Sequence, residues 1–351
     1  MKRAAGSLNM NKCLLCHKNL ADKKGSHIVP HFLSKRVDNE EGATGRDKEV
    51  GFVITPRQTT SYFGRAVLPE KLEEIYGEVT DELIENNNID GIVDNYFCTT
   101  CETNLSVIES VYAKTVSLTP GFDKTYESTT YGFISFLFWI SVLWRLSIQA
   151  QSGFKLKLKE EKRLNRILKK YLKVNLAEIQ PKPSDSDLAG LGYKLLRSPH
   201  FSDNNPTLIH WQPSYERPYS IMIDEYILFF YFKPSYLKGM VLDFYGSERL
   251  KSQAEFNIST EKESIFSVPH DKYSLIIQNI KTFAAKAFDK ELETNLEKIH
   301  QRLGAEGKMD LKLKLEIKKK IAESEAAIGV KLSVKNQAKI IIDVMSKYVN
   351  T

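Results

Sequence analysis

The chain has 351 residues, of which 42% are hydrophobic and 27% charged, and this length suggests two domains or three small ones. The balance is that of an ordinary globular protein and excludes a wholly disordered chain or a fibrous repeat. Lysine and arginine number 50 against 44 acidic residues, so the net charge of +6 permits a polyanionic partner without demanding one.

The first elements of the chain are short. Residues 1–12 carry basic side chains but no apolar core, so we do not expect a secretory signal there. A CxxC pair then precedes the apolar stretch Ser26–Leu33, in which Pro30 argues against a continuous helix and suits a strand end or a loop. The polar segment 38–60 predicts a loop with one short strand at Val50–Ile54.

The next elements lead into a second CxxC pair. Leu68–Glu85 has apolar residues at helical spacing and Pro69 near its start, which predicts a helix. Ile92–Phe97 has the pattern of a strand that enters the second pair. Beyond the pair, apolar residues again recur at helical spacing, so the pair is predicted to open a helix that buries Leu105, Ile108 and Val111.

All four cysteines of the chain lie in these two pairs, Cys13 with Cys16 and Cys98 with Cys101. Structural disulfides rarely persist in a reducing compartment, whereas two residues between thiolates let both sulfur atoms bind one ion. Two such knuckles complete a tetrahedral site, so we predict that the four thiolates bind structural Zn²⁺. Redox-active pairs and four unrelated thiols are the alternatives.

The most apolar segment of the chain is Tyr131–Trp144. It is uncharged, but it spans only 14 residues before Arg145, and a helix that crosses a bilayer needs about 20. We therefore predict a buried helix over 131–149, no membrane partner and a cytoplasmic location.

A basic helix is predicted over Lys155–Lys173, which holds nine basic and two acidic residues. Its apolar residues, Leu158 among them, are expected to form the buried side, and its cations could follow a phosphate backbone. A solvated amphipathic face is the alternative. The candidate nucleic-acid contacts are Lys155, Lys162, Arg163, Arg166, Lys169 and Lys170.

The rest of the chain mixes strands and helices. Residues 181–186 predict a loop, and everything after Asp271 is charged and helical in pattern. A second basic run, 312–320, fits either a strand or a helix face. Between the loop at 181–186 and Asp271, β-like runs separated by proline and glycine turns lie at 207–211, 219–232 and 239–245.

Three pieces of the first third of the chain resemble the HNH endonucleases. In order they are Cys13-Leu-Leu-Cys16, His27-Ile-Val-Pro30 and Cys98-Thr-Thr-Cys101-Glu102. More narrowly, SHIVPHFL together with CTTCETNLSVIE is similar to a bacterial subfamily that reads SHI-I/V-P-x-F and then C-x-x-C-E, with a further Ser and Glu on the following helix. A weaker similarity continues in the aromatic helix that ends at Trp144-Arg145.

The resemblance implies a chemistry for this region. Hydrolysis of a phosphodiester needs a base that takes a proton from water and a divalent cation that neutralises charge on the phosphate. The family pattern assigns the base to His27 and a ligand of catalytic Mg²⁺ or Mn²⁺ to Glu102. Its middle asparagine falls at Val93 here, so the nearby Asp94 or Asn95 would have to replace it, and we take Asn95 as the candidate.

Other positions near the motif are less decided. The family usually carries Asp or His before the base, where this chain has Ser26, a poor metal ligand. Glu109 lies seven residues after Glu102 on the same helix face and is a candidate second carboxylate ligand, with a solvated helix charge as the alternative. His31 is a candidate third imidazole near the metal, and His17 is expected to pack beside its zinc knuckle.

We therefore predict an α+β protein with a zinc-stapled, treble-clef-like ββα-metal nuclease head over residues 1–115. Residues 116–351 are predicted to form a larger, mainly helical α+β body that binds nucleic acid or senses a trigger. The resemblance implies an endonuclease that acts on nucleic acid, double-stranded DNA above all, in a restriction or phage-defence setting. The alternative is a non-catalytic zinc module that contacts nucleic acid or a protein partner, and homo-oligomerisation stays open.

Overall fold

The computed structural model describes residues 12–34, 50–54, 59–63, 92–93, 95–118, 120–149, 153–203, 209–238, 242–302, 306–328, 332 and 334–349. The chain separates into two compact units. The first comprises residues 1–42, 50–62 and 89–279, and the second comprises 43–49, 63–88 and 280–351. The predicted division between residues 115 and 116 lies inside the first unit, and a separate head and body stay a prediction.

The described residues contain both strands and helices, with several strands and several helices in succession, which confirms the α+β class. In chain order these elements are β1 (Ser26–His27), α1 (His31–Ser34), β2 (Val50–Ile54), β3 (Thr59–Phe63), β4 (Ile92–Val93), α2 (Thr99–Val116), β5 (Lys124–Glu127), α3 (Gly132–Ile148), α4 (Leu158–Tyr171), β6 (Gly192–Arg197), β7 (Ile209–Glu216), β8 (Tyr219–Ile223), β9 (Tyr226–Tyr231), α5 (Glu248–Gln253), β10 (Ser264–Ser267), α6 (His270–Arg302), α7 (Leu311–Ile328) and α8 (Val334–Val349).

The cysteine-bearing region is built on a short strand pair and one helix. Strands β1 and β4 pair antiparallel, with Ser26 opposite Val93. The strand predicted over 92–97 is shorter than expected, because the chain bends after β4 and Asn95 takes a left-handed φ of +58°. Helix α2 begins directly after Cys98, as predicted, and its first amide, that of Thr99, donates to Asp22 Oδ1 at 2.8 Å. The helix predicted over 68–85 lies outside the described residues.

An eight-stranded mixed sheet runs through the first unit in the order β3-β2-β7-β8-β9-β6-β10-β5. The predicted strand at 50–54 is β2, and the run 219–232 forms the β8–β9 hairpin. The run 239–245 does not form a strand in its described part, 242–245, because Tyr245 has a φ of +53° and the chain turns there into α5. The sequence did not indicate the exposed edge strand β5, nor β6 and β10.

Helix α3 is the centre of the first unit. All residues from 132 to 147 are buried, as the unbroken apolar segment predicted. Trp139 packs on Tyr226 of the sheet with ring centroids 5.5 Å apart. Gly132 permits the close approach at the start of the helix, because a Cβ there would lie 1.6 Å from the carbonyl oxygen of Glu261. No helix in the described part of the chain is both long and apolar enough to cross a membrane.

The second unit has a core of its own. This core is formed by the later part of α6 together with α7 and α8. These helices confirm the helical pattern predicted beyond Asp271. The basic run 312–320 is helical, and Lys318 pairs with Asp289 at 2.7 Å and Glu293 at 2.8 Å. The buried apolar residues of the core of the second unit are Leu292, Leu296, Met309, Leu313, Ile317, Ile321, Ile341, Val344 and Met345.

Candidate metal and active centre

The four cysteine thiols meet at one point. Their sulfur atoms all lie within 4.8 Å of one another, and Cys16 Sγ is 4.0 Å from Cys98 Sγ. A zinc ion with four thiolate ligands at about 2.3 Å places neighbouring sulfur atoms about 3.8 Å apart. The cluster therefore has the size of a single tetrahedral site, and among the described residues no other group of His, Cys, Asp or Glu side chains has this geometry.

Backbone hydrogen bonds hold the two knuckles in place. The His17 amide donates to the Cys13 carbonyl at 2.9 Å, which closes the first knuckle into a tight turn. The Leu14 amide donates to the Tyr96 carbonyl at 2.9 Å, so the first knuckle is also tied to the segment that directly precedes the second. Since these bonds do not involve sulfur, the chain itself preorganises the four thiols.

Burial and hydrogen bonding act on the thiols in opposite directions. Burial raises the pKa of Cys101, and the neighbouring thiols of Cys98 and Cys13 raise it further. Burial also opposes ionisation of Cys16, but amide donors of Asn19 and Lys18 outweigh it and lower the pKa of Cys16 to about 6. A donor set of four sulfur atoms fits the soft-ligand preference of zinc.

Strand β1 brings Ser26 to the first turn of α2. Ser26 is fully buried, and its hydroxyl lies close to the carboxyl group of Glu102. Burial raises the pKa of Glu102, while the Ser26 hydroxyl and the Arg145 guanidinium lower it in part. Apart from this mutual contact, neither Ser26 Oγ nor Glu102 Oε2 has a hydrogen-bonding partner among the described residues, although both atoms are buried.

His27 follows Ser26 on the same strand and is held through its backbone. Its carbonyl oxygen accepts a hydrogen bond of 2.8 Å from Nη1 of Arg145, and its imidazole is half-buried. The structure thus places the residue predicted as the base one position from the buried Ser26–Glu102 contact. The register of β1 with β4 fixes this placement, because His27 lies opposite Ile92.

Glu109 is mostly buried and pairs with Arg145, so it is not the solvated helix charge of the alternative prediction. Its Oε1 lies 2.7 Å from Nη1 of Arg145, and its side chain is 21% exposed. Arg145 was not predicted to have a role, although the sequence holds one indication that its charge is paired inside the protein. An arginine that closes an uncharged apolar helix must find partners inside the protein, because a buried unpaired charge is costly.

The other predicted imidazole and amide residues do not converge on this centre in the described structure. Asn95 is exposed, and its left-handed φ of +58° is a conformation that asparagine tolerates. His17 is exposed with a φ of +57°, so it does not pack beside its knuckle as we expected. The side chain of His31 and the whole of Asp94 lie outside the described residues.

The basic helix α4 forms as predicted, but part of its charge is already paired. Arg166 forms an ion pair of 2.6 Å with Asp187, and Lys170 one of 2.6 Å with Asp185. Arg163 donates to backbone carbonyls of the same loop, including that of Ala189. Leu158 is exposed rather than buried, since it is the first residue of the helix.

Helix α4 also contacts the first cysteine knuckle. Asn165 donates from Nδ2 to the carbonyl oxygens of Leu14 at 3.3 Å and Leu15 at 3.4 Å. Lys162 and Lys169 lie three residues before and four after Asn165, so they share its side of the helix. Both lysines are exposed, and neither has an ion-pairing partner in the described part of the chain.

The chain matches no family model, and comparison with curated proteins and with solved structures finds no match either.

Proposed function

We propose that this protein is a metal-dependent endonuclease of the HNH type, which hydrolyses phosphodiester bonds in nucleic acid, with double-stranded DNA as its substrate. In this proposal the N-terminal region is a ββα-metal fold, with β1 and β4 as its strands and α2 as its helix. The four cysteines bind structural Zn²⁺ and hold the strands and the helix together. The order of these parts and the sequence resemblance support this assignment.

One observation carries the proposal: two oxygen atoms at the centre of this fold are buried and have no partner beyond their contact with each other. A buried polar atom without a hydrogen bond costs free energy, so such atoms mark places for an ordered water or an ion. Here the atoms are Ser26 Oγ and Glu102 Oε2, and the His27 backbone lies beside them. A carboxylate and a hydroxyl are oxygen donors of the kind that Mg²⁺ and Mn²⁺ accept.

The residues around this point divide the work of hydrolysis. Glu102 would hold the divalent cation, with the Ser26 hydroxyl as a weaker second ligand, and the cation would supply charge neutralisation at the phosphate and the leaving oxygen. His27 would take the proton from the attacking water, a role that suits an imidazole because its ordinary pKa lies near neutral pH. Strand β1 fixes His27 next to Ser26, so base and cation ligands come from adjacent positions.

A non-catalytic zinc module that contacts nucleic acid is the second candidate. It is favoured by two features of the centre: Ser26 replaces the charged ligand of the family pattern, and Glu109 is ion-paired with Arg145. In that case the unpartnered oxygens would bind water only, and the protein would bind nucleic acid without cleaving it.

Replacement of His27 by alanine decides between the two candidates. We expect His27→Ala to lose Mn²⁺- or Mg²⁺-dependent nicking of duplex DNA by on the order of a hundredfold or more, the usual contribution of a positioned base. Zinc content and the unfolding temperature should stay at the wild-type values, because the imidazole is not a zinc ligand.

The control is His17→Asn, which removes an exposed imidazole at a φ of +57° that asparagine tolerates. It should cleave DNA at the wild-type rate. Undiminished nicking by the His27→Ala protein would overturn the mechanism. A wild type that binds duplex DNA but cleaves neither DNA nor RNA with either cation would establish the zinc-module function.

A further inference from the structure

Arg145 connects the two halves of the candidate active centre. It lies near the C-terminal end of α3, and only 1% of its surface is exposed. Its Nη1 is 2.7 Å from Glu109 Oε1 on α2 and donates at 2.8 Å to the carbonyl oxygen of His27 on β1. One guanidinium therefore links the helix that carries Glu102 to the strand that carries the predicted base.

Two further donors of this guanidinium are also used within the protein. Nε donates to the Ser141 carbonyl at 3.3 Å, and Nη2 donates to the Ser141 hydroxyl at 3.3 Å. The group is thus fixed in its plane and its direction by its own helix. A flexible side chain would leave the His27 carbonyl free to move, whereas this planar fork holds it.

The burial of this charge argues for a specific role. Apolar residues packed in place of a buried ion pair are often as stable or more stable, so a buried pair is weak evidence for stability alone. All residues of α3 from 132 to 147 are buried, and the segment before Arg145 is uncharged. The one charge in this helix is placed where it contacts the backbone of His27.

We propose that Arg145 is a positioning residue of the active centre, and that Glu109 is its partner instead of a metal ligand. The pair fixes the His27 backbone relative to α2, so that the imidazole and Glu102 keep the separation that the reaction needs. This inference rests on the proposed nuclease function for its kinetic consequences. Its structural consequence, a rigid β1 strand, can be measured without any activity.

Kinetics of two single variants and their double variant test the positioning role. Arg145→Lys keeps the charge, but its single ammonium cannot pair with Glu109 and donate to the His27 carbonyl in the planar geometry of arginine. We expect kcat to fall by on the order of a hundredfold, as for a misplaced catalytic group, with KM for DNA unchanged. Glu109→Gln should lower kcat without raising the Mn²⁺ concentration for half-maximal activity, and the double variant should be no slower than Arg145→Lys.

Arg197 supplies a matched control. It is also fully buried, pairs with Glu225 at 3.2 Å and donates to backbone carbonyls at the other end of α2, including that of Val116. Arg197→Lys therefore measures what the loss of such an arrangement costs in stability. It should lower the unfolding temperature about as much as Arg145→Lys while leaving kcat at the wild-type value.

Hydrogen exchange keeps the inference testable if the wild type proves not to be a nuclease. The amides of residues 26–28 should exchange about tenfold faster or more in Arg145→Lys than in wild type, and at the wild-type rate in Arg197→Lys. If the wild type cleaves no nucleic acid and Arg145→Lys still exchanges faster, the structural role of Arg145 is supported and the proposed nuclease function is rejected. The positioning role is overturned if Arg145→Lys exchanges like wild type, if its kcat is unchanged, or if Glu109→Gln raises the Mn²⁺ requirement.

Discussion

Glu263 is a carboxyl group enclosed by hydrogen-bond donors from three different elements of the first unit. Its Oε1 accepts from Tyr193 at 2.6 Å, from Trp139 at 3.0 Å and from Tyr112 at 3.4 Å. Burial raises the pKa of Glu263 to about 7, and these donors keep it from rising further. This carboxyl group should therefore titrate near neutral pH.

This raised pKa predicts how stability depends on pH. Between the ordinary value of 4.5 and the folded value of about 7, the native state binds more protons than the unfolded state at this position. The free energy of unfolding contributed by Glu263 should therefore fall as the pH rises from about 5 to 7, by on the order of 3 kcal/mol, and then level off.

Comparison with Glu263→Gln isolates that contribution, because glutamine keeps the acceptor oxygen for Tyr193 and Trp139 but does not ionise. Urea unfolding at several pH values should show the wild type losing stability relative to the variant as the pH rises from 5.5 to 8. Parallel curves for the two proteins would show that Glu263 is ionised throughout this range, and the argument from burial would be wrong.

At the level of single residues, the sequence indicates those roles that a local motif carries. The CxxC spacing predicted the cysteine cluster, and the order of motifs singled out His27 and Glu102. The contact of Ser26 with Glu102 was not predicted, because it depends on the register of β1 with the start of α2. The Arg145–Glu109 pair was missed for the same physical reason: residues 36 positions apart meet only through the packing of α3 on α2.

The amphipathic pattern of α4 indicates its buried side, but it does not show which cations of its polar side are paired. The buried side, which includes Leu164, Ile167 and Leu168, follows from helical periodicity. The division of its cations could not be predicted. Whether Arg166 is paired and Lys169 is not depends on where the loop at Asp185–Asp187 lies, and that is a tertiary feature.

The unpaired and the paired cations of α4 predict different effects on nucleic-acid binding. Lys162 and Lys169 carry unpaired charge beside the zinc knuckle, so Lys162→Gln/Lys169→Gln should weaken binding to duplex DNA about tenfold at low salt. The slope of log K against log salt should fall by about 2, one unit for each lost phosphate contact. Fluorescence anisotropy without added divalent cation measures both quantities and avoids cleavage.

A second variant with the same change in net charge serves as the control. Arg166→Gln/Lys170→Gln removes cations whose charge is already paired with Asp187 and Asp185, so it should change binding little. Equal loss in both variants would mean that only net charge matters. If neither variant loses affinity for DNA, the polar side of this helix is a solvated face, which is the alternative given by the sequence.

Elements were predictable where the sequence has helical spacing or a long apolar run, and they were missed where it has neither. Helices α2, α3 and α4 and strands β2, β8 and β9 lie where the sequence pattern indicated. Strand β6 was missed, since it is buried on both faces and GYKLLR has no alternation to reveal it. Strand β5 was missed for the opposite reason, because it is an exposed edge with no apolar side.

For the whole molecule, the cysteine cluster and the sheet share one core. Buried residues from the first knuckle, such as Leu15, belong to the same apolar cluster as Phe97, Trp144 and Leu228. Phe97, which directly precedes the second knuckle, packs on Trp144 with ring centroids 5.9 Å apart. If the cysteine cluster binds zinc, loss of the metal should therefore destabilise the whole first unit.

Removal of one thiolate tests this coupling. Purified wild type should contain about one zinc per chain, and Cys98→Ser should contain none, since three ligands do not complete a structural site. We expect the unfolding temperature of the first unit to drop by on the order of 10 °C. At about 2–4 °C per kcal/mol for a unit of this size, this corresponds to about 3–5 kcal/mol.

The control is Thr103→Ser, an exposed substitution one turn further along α2 that should keep both the zinc and the unfolding temperature. Calorimetry should show the Cys98→Ser transition shifted as a whole, because Phe97 and Trp144 join the knuckles to α3 in one core. An early, separate transition of the cysteine-bearing region would show that it unfolds independently of the sheet. A wild type that is fully folded without zinc would reject the metal site itself.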